Sequence, residues 1–179
     1  MQDSRFQMKH IISVIQELGL KARFNGLSGD KLFVVGYCGA GKTTFSTKLG
    51  EVTGVKVVHL DDELKRIQYL KKTNKVLYEV HKNELMLDIA LRDPEPAIIE
   101  GISLLKSSLS LTTLPMVIIE TNPWEAAWRQ SWSKTQMTKP WIWALAHALY
   151  RNLVKWRPYF ENLRSDISKG QSGYYFSAD

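Results

Sequence analysis

The sequence predicts an α/β fold: a three-layer sandwich in which helices cover both faces of a parallel sheet of about five strands. Three observations carry that expectation. Short runs rich in β-branched residues alternate with segments of helical period along most of the chain. One glycine-rich loop joins such a run directly to a helical segment. The length and composition, 179 residues with 44% hydrophobic and 23% charged, suit one compact domain. No Pro/Gly/Ser-rich linker or internal repeat divides it. A single domain over 1–179 is expected, with residues 1–30 as an N-terminal helical extension.

The elements follow in order. Met8, Ile11, Ile12, Ile15 and Leu18 recur at helical spacing and form one apolar stripe, ended near Gly19. Residues 24–30 (FNGLSGD) carry turn chemistry. The run 31–36 (KLFVVG) reads as a buried strand, and 43–49 as a helix. A second strand is expected over 55–60 (VKVVHL), then helices over 62–70 and 76–92. Pro94 and Pro96 introduce a third strand at 97–100 (AIIE), and 116–120 (MVIIE) is a fourth. Asn122 is placed to cap a helix with Pro123 in its first turn, running to about Lys134. Lys139-Pro140 breaks the pattern. A long helix then runs from Trp141 to about Ile167, interrupted before Pro158.

Composition excludes several classes. The single cysteine, Cys38, rules out an intramolecular disulfide framework and a multi-cysteine metal site. No apolar run reaches the roughly 18–20 residues of a membrane span, and the first residues carry no secretory pattern. The expectation is a cytoplasmic protein without membrane contact. The net charge of +6 points to an anionic partner.

The strongest signal is Gly36-Tyr37-Cys38-Gly39-Ala40-Gly41-Lys42-Thr43, which fits G-x-x-x-x-G-K-[ST]. Glycines let the chain turn tightly, so that successive N–H groups face phosphate oxygens. Gly36, Gly39, Ala40, Gly41, Lys42, Thr43 and Thr44 are the candidate nucleotide-binding residues. Lys42 supplies charge to the β- and γ-phosphates, and the Thr43 hydroxyl can ligate Mg²⁺. The motif follows a strand and opens a helix, whose dipole favours an anion. Cys38, inside the loop, is expected to face the core. A Ras-type GTPase is excluded: the only Asn-Lys pair, Asn74-Lys75, is followed by Val76 and Leu77, where a guanine motif needs aspartate.

Ligands bind at the carboxyl ends of strands in such sheets. The second strand ends in His59-Leu60-Asp61-Asp62-Glu63 and the third in Glu100-Gly101. Asp61 is the candidate catalytic base for an acceptor hydroxyl, and Glu100 a candidate partner of Mg²⁺. Asp62 fits a first-turn helix acid better, and His59 reads as a plain strand residue.

The loop, followed by Leu49-Gly50-Glu51-x-Thr53-Gly54-x-x-Val57-Val58-His59-Leu60-Asp61, resembles the small P-loop kinases, in particular adenylate-kinase-like proteins labelled DNA topology modulation (FlaR-type). The resemblance covers 31–62, with further matches at 99–101 and at 123–129 (PWEAAWR). It implies a P-loop kinase-type fold, ATP and Mg²⁺ as cofactors, phosphoryl transfer, and a lid over 130–140 with Arg129 as a catalytic cation. Kinases of this group carry two or three closely spaced lid arginines. Here Arg129 is followed by Ser131, Ser133 and Lys134.

Two basic clusters stand out: Lys65, Arg66, Lys71, Lys72, Lys75 and Lys82, and a C-terminal set that includes Lys134, Lys139, Arg151, Lys155, Arg157, Arg164 and Lys169. All six tryptophans follow residue 123, and Trp124, Trp128 and Trp132 form one stripe. Packing between the two C-terminal helices is the plain expectation; a stacking platform for a nucleobase or single strand is the sharper one. The acceptor expected is a nucleoside, nucleotide or nucleic-acid hydroxyl, including a hydroxymethylated base within DNA, which must be flipped out of the stack. Two alternatives remain open: a nucleotide-switched DNA-binding protein with no phosphorylated acceptor, and a small-metabolite kinase of shikimate or gluconate type.

Overall fold

The structure, a computed structural model, describes residues 8–25, 30–106, 114–135, 140–170 and 174–177. The turn at 26–29, residues 136–139 of the expected lid, and the side chains of Lys134, Lys139 and Lys169 lie outside the described residues.

Helix α1 (Met8–Glu17) buries Ile11, Val14 and Ile15. It ends as the sequence signals: Gly19 takes φ +59°, and bonds from Leu20 N–H to Ile15 O and from Gly19 N–H to Gln16 O close a Schellman cap. Strand β1 (Lys21–Asn25) leads to β2 (Lys31–Gly36), whose six residues are all buried. Helix α2 (Lys42–Thr53) and β3 (Lys56–His59) follow. Helices α3 (Leu60–Arg66), α4 (Leu70–Thr73) and α5 (Lys75–Leu87) come next, the last running into a π-helical turn over Asp88–Arg92. Strand β4 (Ala97–Glu100), a 3₁₀ segment over Ile102–Lys106, and β5 (Met116–Glu120) complete the central set. The C-terminal part holds α6 (Pro123–Thr135), α7 (Trp141–Leu149), a π-helical segment over Tyr150–Trp156, α8 (Arg157–Gly170) and β6 (Tyr174–Ser177).

The sheet is mixed and six-stranded, ordered β3-β4-β2-β5-β1-β6. This corrects the all-parallel expectation. Strands β3, β4, β2 and β5 are parallel, whereas β1 lies antiparallel between β5 and β6. Strand β6 thus points the same way as the parallel set. Residues 24 and 25, expected in a turn, are the end of β1, so the segment before residue 31 is part of the sheet as well as helical. Ala22 and Phe24 are buried, and Arg23 lies within 4.0 Å of Glu120. The helix expected over 62–70 is broken at 67–69, and the interruption expected before Pro158 is the π-helical segment.

Strands β2 and β4 are buried along their whole length, so both faces of the sheet centre are covered. The core joins Leu32, Phe33, Phe45, Leu49, Ile98 and Ile99 with Phe160 of α8. Burying such a side chain contributes about 1.5–3 kcal/mol. From β2 the chain passes to one side for β3 and β4, then crosses to the other for β5. The crevice at the carboxyl end of β2 is therefore the topological switch point.

Candidate functional site

The loop at that switch point is held from below. Tyr37 packs on Phe160, ring centroids 4.4 Å apart, and burial raises its phenol pKa above the usual value. Ala40 N–H bonds Tyr37 O at 3.1 Å, which makes the turn. Gly39 and Gly41 take φ +91° and +93°, where a side chain is strained. A Cβ on Gly39 would also lie 2.1 Å from Ala126 O, so α6 sits against the loop with no room for any side chain there.

What the loop leaves open matters most. Gly41 caps α2 without a side-chain bond. The N–H groups of Gly39, Gly41, Lys42, Thr43 and Thr44 have no acceptor among the described residues. These are the orphan donors of a helix N-terminus, gathered with the positive end of its dipole. Lys42 is buried, its Nζ folded back to donate to Tyr37 O at 3.0 Å. Cys38 is buried and unbridged.

Glu100 links the three strands beside the loop. In register it pairs with His59 on β3 and Val34 on β2. Its buried Oε1 accepts from Thr43 Oγ1 at 3.1 Å and stands 3.0 Å from His59 Nδ1. Mg²⁺ prefers octahedral oxygen ligands at about 2.1 Å, which places adjacent ligand oxygens about 3 Å apart. Thr43 and Glu100 bring two oxygen donors of the kind Mg²⁺ takes side by side. Among the described residues no group of three or more His, Cys, Asp or Glu could hold a metal unaided. Mg²⁺ bound together with phosphates needs no all-protein cage.

Asp61 is exposed in the first turn of α3 and accepts from Ser103 Oγ at 3.3 Å, which ties the ends of β3 and β4 together. Asp62 pairs outward with Lys65, whose hydrogen bond lowers its pKa from the usual carboxylate value. Arg129 is ion-paired to Glu125 on the exposed face of α6 and makes no hydrogen bond to the loop.

Three residues that sequence reasoning passed over, or left in a list, touch the site. His59 orients Glu100. Asn152 is fully buried and donates to Cys38 O at 3.2 Å and to Pro123 O at 3.3 Å, pinning the loop to the start of α6. Arg151 reaches Cys38 Sγ at 3.2 Å. The last two lie in the π-helical segment, a feature common at functional sites. Beside the loop a cleft of about 410 Å³ opens between α1 and α2, lined by Glu17, Leu18, Thr43, Thr44, Thr47, Lys48 and Glu51.

Trp124, Trp128 and Trp132 are 59%, 51% and 71% exposed, and an edge contact of Trp128 with Trp141 (5.8 Å) joins α6 to α7, so the stripe takes part in packing between these helices while leaving ring surface open. No family model and no curated protein matches the chain. Among the described residues, no helix is long and apolar enough to cross a membrane.

Proposed function

We propose that the protein is an ATP- and Mg²⁺-dependent phosphotransferase of P-loop kinase type, with a three-layer fold, acting on a hydroxyl of a nucleoside, nucleotide or nucleic-acid acceptor. The observation that carries this reading is the set of five N–H groups around Lys42 that have no acceptor among the described residues, with the Thr43–Glu100 pair alongside. That is a cradle for a polyphosphate next to a place for a hard cation.

Each residue has a task. The loop N–H groups and Lys42 hold the β- and γ-phosphates in line. Thr43 and Glu100 would hold the metal, with His59 fixing that carboxylate. Mg²⁺, when bound, neutralises charge on the phosphate oxygens. Asp61 takes the proton of the acceptor hydroxyl as its oxygen bonds to the γ-phosphorus and the bond to the ADP oxygen breaks. Cations would stabilise the equatorial charge: the contact of Arg151 with Cys38 in the loop supports that role for it, and Arg129 serves if its pair with Glu125 opens.

The test is transfer of labelled γ-phosphate to nucleosides, nucleotides and duplex DNA containing a hydroxymethylated base. Lys42→Ala should abolish transfer, and full activity in that variant would reject the site. A second reading, a nucleotide switch that binds DNA without phosphorylating it, is favoured by the exposed tryptophan stripe. It predicts that Asp61→Asn keeps function. The transferase reading predicts loss of the chemical step with ATP binding intact.

A further inference from the structure

The fold sorts the cations of the two basic clusters into those with an acid and those without. Lys65, Arg66 and Lys82 pair with Asp62, Glu63 and Glu79, one helical turn away. Arg157 and Arg164 pair with Glu161 and Glu120. Lys71, Lys72, Lys75, Arg151 and Lys155 of the clusters, and Lys106 outside them, have no carboxylate partner among the described residues.

Lys106, Arg151 and Lys155 are drawn together although they come from the 3₁₀ segment after β4 and the π-helical segment. Lys106 Nζ and Lys155 Nζ lie 4.9 and 5.3 Å from the centre of the same ring, Trp156. Arg151, one helical turn before Lys155, is the residue on Cys38 Sγ. Burial pushes the Lys155 ammonium below the usual lysine value, and the charges of Lys106, Arg151 and Lys71 push it the same way. One of the segments also leads to the candidate base: Ser103, in the 3₁₀ segment that ends at Lys106, holds Asp61. Like charges brought together without a counter-ion repel, and a bound anion removes that repulsion.

We propose that Lys106, Arg151 and Lys155 form a second anion site, beside the loop at Cys38, that binds a phosphate ester already carried by the acceptor. This rests on the phosphoryl-transfer reading for the word acceptor. It narrows the substrate class: a phosphate-bearing nucleotide unit, free or within a strand, is taken in preference to a neutral nucleoside or sugar.

The experiment is calorimetric titration of inorganic phosphate and of octathymidylate into four proteins: wild type, Lys42→Ala, Lys42→Ala with Lys106→Ala and Lys155→Ala, and the same with arginine at 106 and 155. Phosphate should still bind after Lys42→Ala. The two added alanines should weaken that binding at least about tenfold, and the arginines should restore it. Equal binding with alanine or lysine at 106 and 155, in proteins with matching melting curves, overturns the site, as does absence of phosphate binding after Lys42→Ala. Octathymidylate distinguishes the sources. If it weakens in parallel, with a salt slope shallower by about 1.4, the phosphate is that of a strand. If only inorganic phosphate weakens, the phosphate is that of a small molecule. ATP binding unchanged by Lys42→Ala would instead sink the transferase reading and leave the anion site standing.

Discussion

On the loop side of the sheet end, the charged groups named in the site are held by hydrogen bonds or ion pairs; on the cation side, Lys106, Arg151 and Lys155 have no carboxylate partner among the described residues. Lys42 rests on Tyr37 O, and Glu100 takes Thr43 and His59. Lys106 and Lys155 instead share the Trp156 ring, and Arg151 rests on the Cys38 thiol. The difference teaches how each side meets an anion. The loop side offers fixed backbone donors that need no reorganisation. The cation side offers side-chain charge whose mutual repulsion an incoming phosphate relieves.

Substitutions can break or sharpen that contrast. The largest effect is expected from Lys42→Ala, with γ-phosphate transfer falling by about a thousandfold or more. Next is Gly39→Ala, which puts a methyl 2.1 Å from Ala126 O on a left-handed backbone. Urea unfolding should show a loss of about 3 kcal/mol or more, and an unchanged midpoint would contradict the described approach of α6. Asn152→Ala removes the donor shared by two carbonyls where loop and α6 meet. A loss of about 2 kcal/mol is expected by the same measurement. Glu100→Gln keeps the size of the side chain but halves its claim on a cation. The Mg²⁺ concentration for half-maximal activity should rise about tenfold, or about 1.4 kcal/mol. Smallest is Arg129→Ala, because an exposed i,i+4 pair with Glu125 holds that side chain. Stability should move by less than about 0.5 kcal/mol. If Arg129→Ala lowers turnover more than Arg151→Ala does, the contrast between the two arginines fails.

The sequence made the loop side far more legible than the cation side. Strands β2, β4 and β5 match the expected bounds because buried central strands are short continuous runs of apolar, mostly β-branched residues. The loop motif is contiguous, and the Asn122 cap is local: its Oδ1 accepts Trp124 N–H at 2.9 Å. Strand β1 was hidden because its five residues abut Gly19 and run into turn-forming Asn25-Gly26. Its alternation of Ala22 and Phe24 with Lys21 and Arg23 was the available signal. Strand β6 is four residues at the chain end, and its partner is 150 positions earlier: Tyr174 pairs with Phe24. The π-helical segment cannot be seen by a search at period 3.6, yet it places Arg151 and Asn152 at the loop. The pairing of Lys65, Arg66 and Lys82 with acids three residues away was readable from spacing. The meeting of Lys106 with Lys155 at Trp156 depends on tertiary packing.

The most direct measurement is calorimetric titration of ATP with Mg²⁺ into the wild-type protein, Lys42→Ala and Glu100→Gln. The account predicts one site per chain, weakened at least about tenfold by Lys42→Ala, with Glu100→Gln impaired only when Mg²⁺ is present. Absence of ATP binding to the wild type, or equal affinity in all three proteins, would contradict it.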